Sequence, residues 1–144
     1  MTVFGGSHGG KTGVISVFQG TNPAAGSEIV QVVPPNEIWE LLAIRAQLAT
    51  SAVVANRRVV LSFDDDSGTA FARCVGPADQ VASTTIDYNM IAGAPNNIAP
   101  VGLDSTIAIP KIILPPGFRF RTVTGLFDVG DNWGAPRIAL MKYS

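Results

Sequence analysis

The stretch Glu37-Ile38-Trp39-Glu40-Leu41-Leu42-Ala43-Ile44-Arg45-Ala46-Gln47-Leu48-Ala49-Thr50 decides the fold, because it supports two readings. Its Leu, Ala, Glu and Gln favour a helix, with Asn36 placed to act as N-cap. Read alone, it is helical. Yet Leu42, Ile44, Ala46 and Leu48 fall on one strand face and Arg45 and Gln47 on the other, the alternation of a half-buried strand. Periodicity leaves both open.

An internal echo favours the strand. Val33-Pro34-Pro35-Asn36-Glu37-Ile38-Trp39-Glu40 aligns with Leu114-Pro115-Pro116-Gly117-Phe118-Arg119-Phe120-Arg121, and after a similar gap Arg58-Val59-Val60-Leu61 aligns with Arg137-Ile138-Ala139-Leu140. The second copy continues as Phe118-Arg119-Phe120-Arg121-Thr122-Val123-Thr124, strongly β in composition, so the first copy reads as β as well. Two halves follow, each a Pro-Pro corner, a long strand, a turn and a returning strand, as in a double Greek key.

The chain outside these copies is a series of short apolar runs bounded by turn residues. Arg57-Arg58-Val59-Val60-Leu61-Ser62-Phe63 meets the turn Asp64-Asp65-Asp66-Ser67-Gly68, and 69–75 returns as the second arm of a hairpin. Further runs cover 29–33, 84–91, 105–114, 118–127 and 136–143. Runs spaced in this way, with Gly or Pro between them, mark a sandwich or barrel. The expected fold is all-β, a two-sheet antiparallel jelly-roll-like sandwich over 28–144 preceded by a flexible Gly-rich N-terminal arm over 1–27. Within that arm, Val14-Ile15-Ser16-Val17-Phe18 alternates and suits an edge strand if a partner is offered. Removal of residues 1–20 is expected to leave the fold intact.

Composition narrows the function. The 144 residues are 47% hydrophobic and 15% charged, against about 25% charged in an average domain. Ten basic and eleven acidic residues give a net charge of −1, so no long-range attraction to nucleic acid or an anionic membrane is expected. No run is long and apolar enough for a membrane helix, and no secretory signal is read at the start. Cys74 is the single cysteine and His8 the single histidine, which excludes an internal disulfide framework and a cysteine-rich zinc site. Such low charge leaves apolar side chains at the surface, in loops such as 50–55 and 89–95, and these point to a protein partner.

The sharpest chemical pattern is Gly5-Gly6-Ser7-His8-Gly9-Gly10-Lys11-Thr12, which satisfies the phosphate-cradling G-x-x-x-x-G-K-[ST] signature, and Asp64 after Val59-Val60-Leu61-Ser62-Phe63 could complete a metal site. Its context is wrong. Too little chain precedes it for a central parallel strand, and the β-branched stretch after Thr12 makes a poor helix. Asp64-Asp65-Asp66 lacks the spacing and closing Glu of a calcium loop and reads as a solvated hairpin tip. Asp128 and Asp131 read as a turn before a sugar or metal site. Cys74 has no base nearby other than His8 and reads as core-facing. Trp39 and Trp133 read as caps of the core before sugar platforms, and Arg57, Arg58, Arg73, Arg119, Arg121 and Arg137 as solvent-facing or paired strand residues. No catalytic, cofactor-binding or metal residue is assigned.

The phrase Val33-Pro34-Pro35-Asn36-Glu37-Ile38-Trp39, followed by a long apolar strand, a Thr/Ser/Ala-rich turn and Asn56-Arg57-Arg58-Val59-Val60-Leu61, resembles small virion proteins of tailed bacteriophages, the jelly-roll cement or decoration proteins of the head lattice. The likeness covers about 29–63, with a fainter echo in the second half, and rests on pattern rather than a diagnostic motif. It implies a non-enzymatic virion protein without cofactors. The implied partners are its own copies, as homodimer or homotrimer, and the major capsid protein lattice, with the chain made in the host cytoplasm and resident on the capsid surface. The Gly-rich arm would reach a neighbour. Two alternatives stay open: a carbohydrate- or receptor-binding sandwich of a tail or head fibre, using Trp39, Trp133 and the Asp-rich loops, and a small P-loop nucleotide-binding protein.

Overall fold

The computed structural model describes residues 7–8, 11–98 and 104–143, and the strands among them are β1 (Ser7–His8), β2 (Lys11–Thr12), β3 (Val14–Gln19), β4 (Val30–Val32), β5 (Ile38–Ala49), β6 (Arg58–Asp64), β7 (Ala70–Val75), β8 (Thr85–Ala92), β9 (Asn97–Ile98), β10 (Asp104–Ile109), β11 (Ile113–Leu114), β12 (Arg119–Gly125), β13 (Asn132–Trp133) and β14 (Arg137–Tyr143). No helix occurs among the described residues. The larger sheet runs β3-β14-β5-β8-β10-β9 and the smaller β4-β12-β6-β7. Taking β3, β4, β5, β6, β7, β8, β12 and β14 in chain order, the first sheet holds the first, eighth, third and sixth, and the second holds the second, seventh, fourth and fifth. That nesting of two Greek keys is the jelly roll.

The segment that composition alone makes helical is β5, the central strand of the larger sheet. It pairs with β14 and β13 on one side and with β8 and β11 on the other. Pairing along both edges outweighs local helix propensity, a weak preference of tenths of a kcal/mol per residue. Its inward set differs from the simple alternation at one place. The register against β14 slips so that Ala139 faces Ala43 while Leu140 faces Leu41, and Leu42 is left as the extra residue of a bulge. Leu42 is therefore only half-buried, whereas Trp39 and Leu41 before the bulge and Ile44, Ala46 and Leu48 after it enter the core.

The core lies between the sheets. Val59, Leu61 and Phe63 of β6 and Phe120 of β12 meet the inward residues of β5, with Tyr88 and Met90 of β8 and Ile138 and Leu140 of β14 alongside. The loop expected at 89–95 is thus strand as far as Ala92, with Met90 in the core. Thr122 is polar and fully buried; its Oγ1 accepts the Ile29 N–H at 2.9 Å, so its burial leaves no orphan donor.

Two departures from an antiparallel sandwich follow from the chain around 93–114. β10 runs parallel to β8, with Asp104 facing Asp87 and Ile109 facing Ala92, while β9, between them in the chain, runs antiparallel to β10. The single run expected at 105–114 breaks at Pro110, which has no N–H to give a ladder, and resumes as β11 beside β5.

The two Pro-Pro corners are the same turn. Glu37 N–H bonds Pro34 O at 3.3 Å and Phe118 N–H bonds Pro115 O at 3.2 Å. Each turn places a left-handed residue third, Asn36 at φ 66° and Gly117 at φ 84°, as a type II turn demands. The corners also bond each other, Val33 N–H to Phe118 O at 2.8 Å and Gly117 N–H to Val33 O at 3.0 Å.

Residues 14–27 are built into this sandwich. β3 pairs with β14 along its whole length, Phe18 sets its ring 6.0 Å from that of Trp39, and Gly20 and Gly26 N–H groups bond Pro136 O and Asp131 O. The boundary drawn at Glu28 therefore falls inside the folded unit. Residues 1–6, 9 and 10 of the expected arm lie outside the described residues.

Candidate functional site

At one end of the sandwich, four loops, 24–27, 50–57, 79–84 and 126–131, are tied to one another by Arg57 and Asp131. Both side chains are fully buried. Asp131 receives Arg57 Nε at 2.9 Å and Nη2 at 3.0 Å, and the remaining guanidinium donors go to the carbonyls of Val53 and Ala55 and to Ser51 Oγ. Ser51 N–H and Asp128 N–H also donate to Asp131, and Ser51 Oγ donates to Asp128 Oδ2 at 2.9 Å. Thr50 Oγ1 donates to Val81 O at 2.7 Å, and Gln80 Nε2 to Leu48 O at 2.8 Å. Among the described residues no buried side-chain nitrogen or oxygen lacks a partner. A complete network of this kind offsets the desolvation of the two buried charges and fixes geometry.

Burial would raise the Asp131 carboxyl, but the hydrogen bonds from Arg57, Ser51 and Asp128 outweigh it and hold the group below the usual carboxylate range. The sequence suggested neither a buried Asp131 nor a buried Arg57. Of the two readings of Arg57, solvent-facing or paired with an acid, the pairing holds, but not across a strand: residue 57 stands just before β6, where it bridges Gln80 and turns its side chain into the buried loop end.

What this scaffold presents is apolar. Val54 is 93% exposed, Val129 84% and Leu126 71%, and Val53 and Val81 are exposed beside them. Leu126 stands at φ 57°, a left-handed conformation that branched side chains rarely adopt, and Ser83 shares it. The exposed Leu126 side chain buries little in return for that strain. Of these residues the sequence pointed only to 50–55. Leu126 and Val129 carried a weak signal, apolar residues isolated within the turn-rich Gly125-Leu126-Phe127-Asp128-Val129-Gly130-Asp131.

The other candidate residues are placed as follows. Asp64 is fully buried, receiving Arg119 Nε at 2.7 Å, Arg121 Nε at 2.6 Å and Ser62 Oγ at 2.8 Å. Burial would raise its carboxyl and these three donors lower it on balance. The solvated tip is Asp65 to Thr69 alone, where Asp65 Oδ1 accepts both Ser67 and Thr69 N–H groups. Arg58 pairs with Asp79 at the surface, and Arg73 and Arg137 are exposed.

Trp39 and Trp133 are buried, their Nε1–H groups donating to Glu37 at 2.8 Å and Glu28 at 3.3 Å, so neither offers a ring face to a sugar. Cys74 faces inward from β7, half-buried, and burial pushes its thiol up, away from nucleophilic use. Ser7 faces Thr12 and His8 faces Lys11 in a short ladder, and the chain then enters β3, where a phosphate-binding loop would enter a helix. Gly5, Gly6, Gly9 and Gly10 of that pattern lie outside the described residues. No group of three or more His, Cys, Asp or Glu side chains among the described residues could hold a metal. In a cleft of about 230 Å³ beside Gln80, Val81 and Tyr88, Tyr88 Oη donates to Gln80 Oε1 at 3.0 Å.

The chain is thus a jelly-roll sandwich with a rigid, apolar loop end. No family model and no curated protein matches it. Among solved structures it is similar to a chain of the T13 IBDV viral particle, with 11% identity and a TM-score of 0.37. The likeness covers 91% of this chain and 31% of that one, so this chain spans about a third of its length.

Proposed function

We propose that this chain is a non-enzymatic structural protein of a virion, one that homo-oligomerises and docks on a bacteriophage shell to decorate or cement it. The observation that carries the reading is the loop end, where Val53, Val54, Val81, Leu126 and Val129 stand exposed on loops locked by the Arg57–Asp131 pair. Apolar surface held this rigidly loses little entropy on binding, which is what a permanent docking face needs. The jelly roll suits the role without assigning it, since the same fold serves capsids, lectins and other proteins. Burial of both tryptophans removes the platforms on which the sugar-binding alternative relied.

Co-sedimentation with purified shells of a tailed phage tests this. The wild type is expected to pellet with shells at low and high salt alike, because apolar burial is little screened. Val54→Asp combined with Val129→Asp is expected to stay folded and remain in the supernatant. Wild-type protein that ignores shells, or a double variant that pellets as well as wild type, would overturn the reading.

A further inference from the structure

We infer that β3 is the self-association edge, and that two copies pair β3 to β3, antiparallel, about a two-fold axis. β3 ends the larger sheet. One side bonds β14, and among the described residues nothing bonds the other. Such an edge is a row of free N–H and C=O groups that only an extended strand can satisfy in full. Edges that stay alone carry protecting devices, namely a charge, a proline, a bulge or extreme shortness. β7 carries Arg73, β4 has three residues, and the far edge of the larger sheet ends in the two-residue β9. β3 has none of these. Val14-Ile15-Ser16-Val17-Phe18-Gln19 is uncharged and free of proline, its ladder with β14 is unbroken, and no charged residue occurs anywhere from 12 to 27.

The side chains agree with the backbone. Val14 and Ile15 are each 63% exposed and Val17 is 60% exposed. Val17 also begins a row that crosses the outer face of the sheet through Ala139, Ala43 and Ile91, so a strand added at β3 would extend a surface already apolar. A second copy is the occupant that fits, because an antiparallel pair of identical strands is self-complementary and this edge offers no charge to repel its own image. Centred on Ser16, the pairing sets Ile15 opposite Val17 of the partner subunit and Val14 opposite Phe18 of the partner subunit, covering all three exposed residues at once.

This deepens the oligomer part of the proposed function and rests on that reading only for its purpose, so the mass is measured without shells. Sedimentation of the full chain at micromolar concentration is expected to give a dimer of the 15.1 kDa subunit in low and high salt. Ile15→Lys with Val17→Lys sets lysines against lysines across the axis and is expected to weaken the dimer at least tenfold, with an unchanged β spectrum. Ile15→Lys with Val17→Glu sets Lys against Glu in this register and is expected to restore a dimer, now salt-sensitive. A wild-type monomer or trimer, or a Lys/Lys variant as dimeric as wild type, would overturn the inference. Shell co-sedimentation of the Lys/Lys variant stands apart: retention keeps the docking reading whatever the mass shows, and failure of a dimeric wild type to bind shells counts against docking alone.

Discussion

Trp39 and Phe120 occupy equivalent positions in the two copies of the Pro-Pro pattern, and their rings meet across the sandwich with centroids 6.3 Å apart. The equivalence extends to the strands. β5 of the first copy pairs with β14 of the second, and β12 of the second with β6 of the first. Even the register repeats, since Ile38 faces Tyr143 where Arg119 faces Asp64. The internal likeness in the sequence is therefore a pseudo-symmetry of the fold, with corresponding strands in opposite sheets and both corners bonded at the axis.

The corners should respond unequally to substitution. Gly117→Ala puts a Cβ on a residue at φ 84° and 3.3 Å from Asp66 Cβ, and is expected to cost about 1–2 kcal/mol. Asn36→Gly at the other corner relaxes a strained residue and is expected to change stability by less than about 0.5 kcal/mol. Urea denaturation of both variants checks the pair.

Truncation separates the N-terminal residues by role. Removing residues 1–20 takes away β3, exposes the β14 edge and strips Phe18 from Trp39. Lost burial of that half-buried ring costs about 1 kcal/mol or more, and the lost β3 ladder adds to it, so the truncated chain is expected to melt well below wild type. This replaces the expectation, drawn from the scarcity of periodic apolar surface in residues 1–20, that the whole stretch is dispensable. Differential scanning calorimetry on chains starting at residues 7 and 21 checks it.

Acid should loosen the loop end and the β6–β12 face together. Asp64 and Asp131 titrate lower in the folded chain than unfolded, so their stabilisation is complete above about pH 4 and is lost as pH falls through the folded values. Asp131→Asn leaves Arg57 buried without its counter-charge and is expected to cost about 3–5 kcal/mol at neutral pH. It should also flatten the acid limb of a plot of stability against pH, and thermal melts from pH 2 to 7 in both proteins would show whether it does.

Strand existence was legible because alternation and turn residues are local, and β6, β7, β12 and β14 follow from them directly. The Glu37–Thr50 stretch needed the internal echo, because its composition argues for a helix and only pairing on both edges makes it a strand. The bulge at Leu42, the parallel β10 and the burial of Arg57, Asp64 and Asp131 were not legible. Each depends on a partner distant in sequence, such as the 74 positions between Arg57 and Asp131, and no local pattern reports such a partner. The apolar character of the loop end was visible in the low charge and in loop 50–55, but the part taken by Val81, Leu126 and Val129 was not.

Leu126 separates stability from docking. At φ 57° its backbone stores about 1–2 kcal/mol, while its side chain buries little in the free subunit. Asn tolerates the left-handed region and is polar, so Leu126→Asn is expected to leave stability unchanged or raise it by up to about 1 kcal/mol. If the loop end docks on a shell with Leu126 as an anchor, the same change removes that anchor, and truncation of a buried anchor costs about 2 kcal/mol or more, some thirtyfold in affinity. Stability and shell affinity should therefore move in opposite directions, which no merely structural role for Leu126 would produce. Urea unfolding beside quantitative co-sedimentation measures both. A variant that loses stability, or that binds shells as tightly as wild type, would remove Leu126 from the docking face.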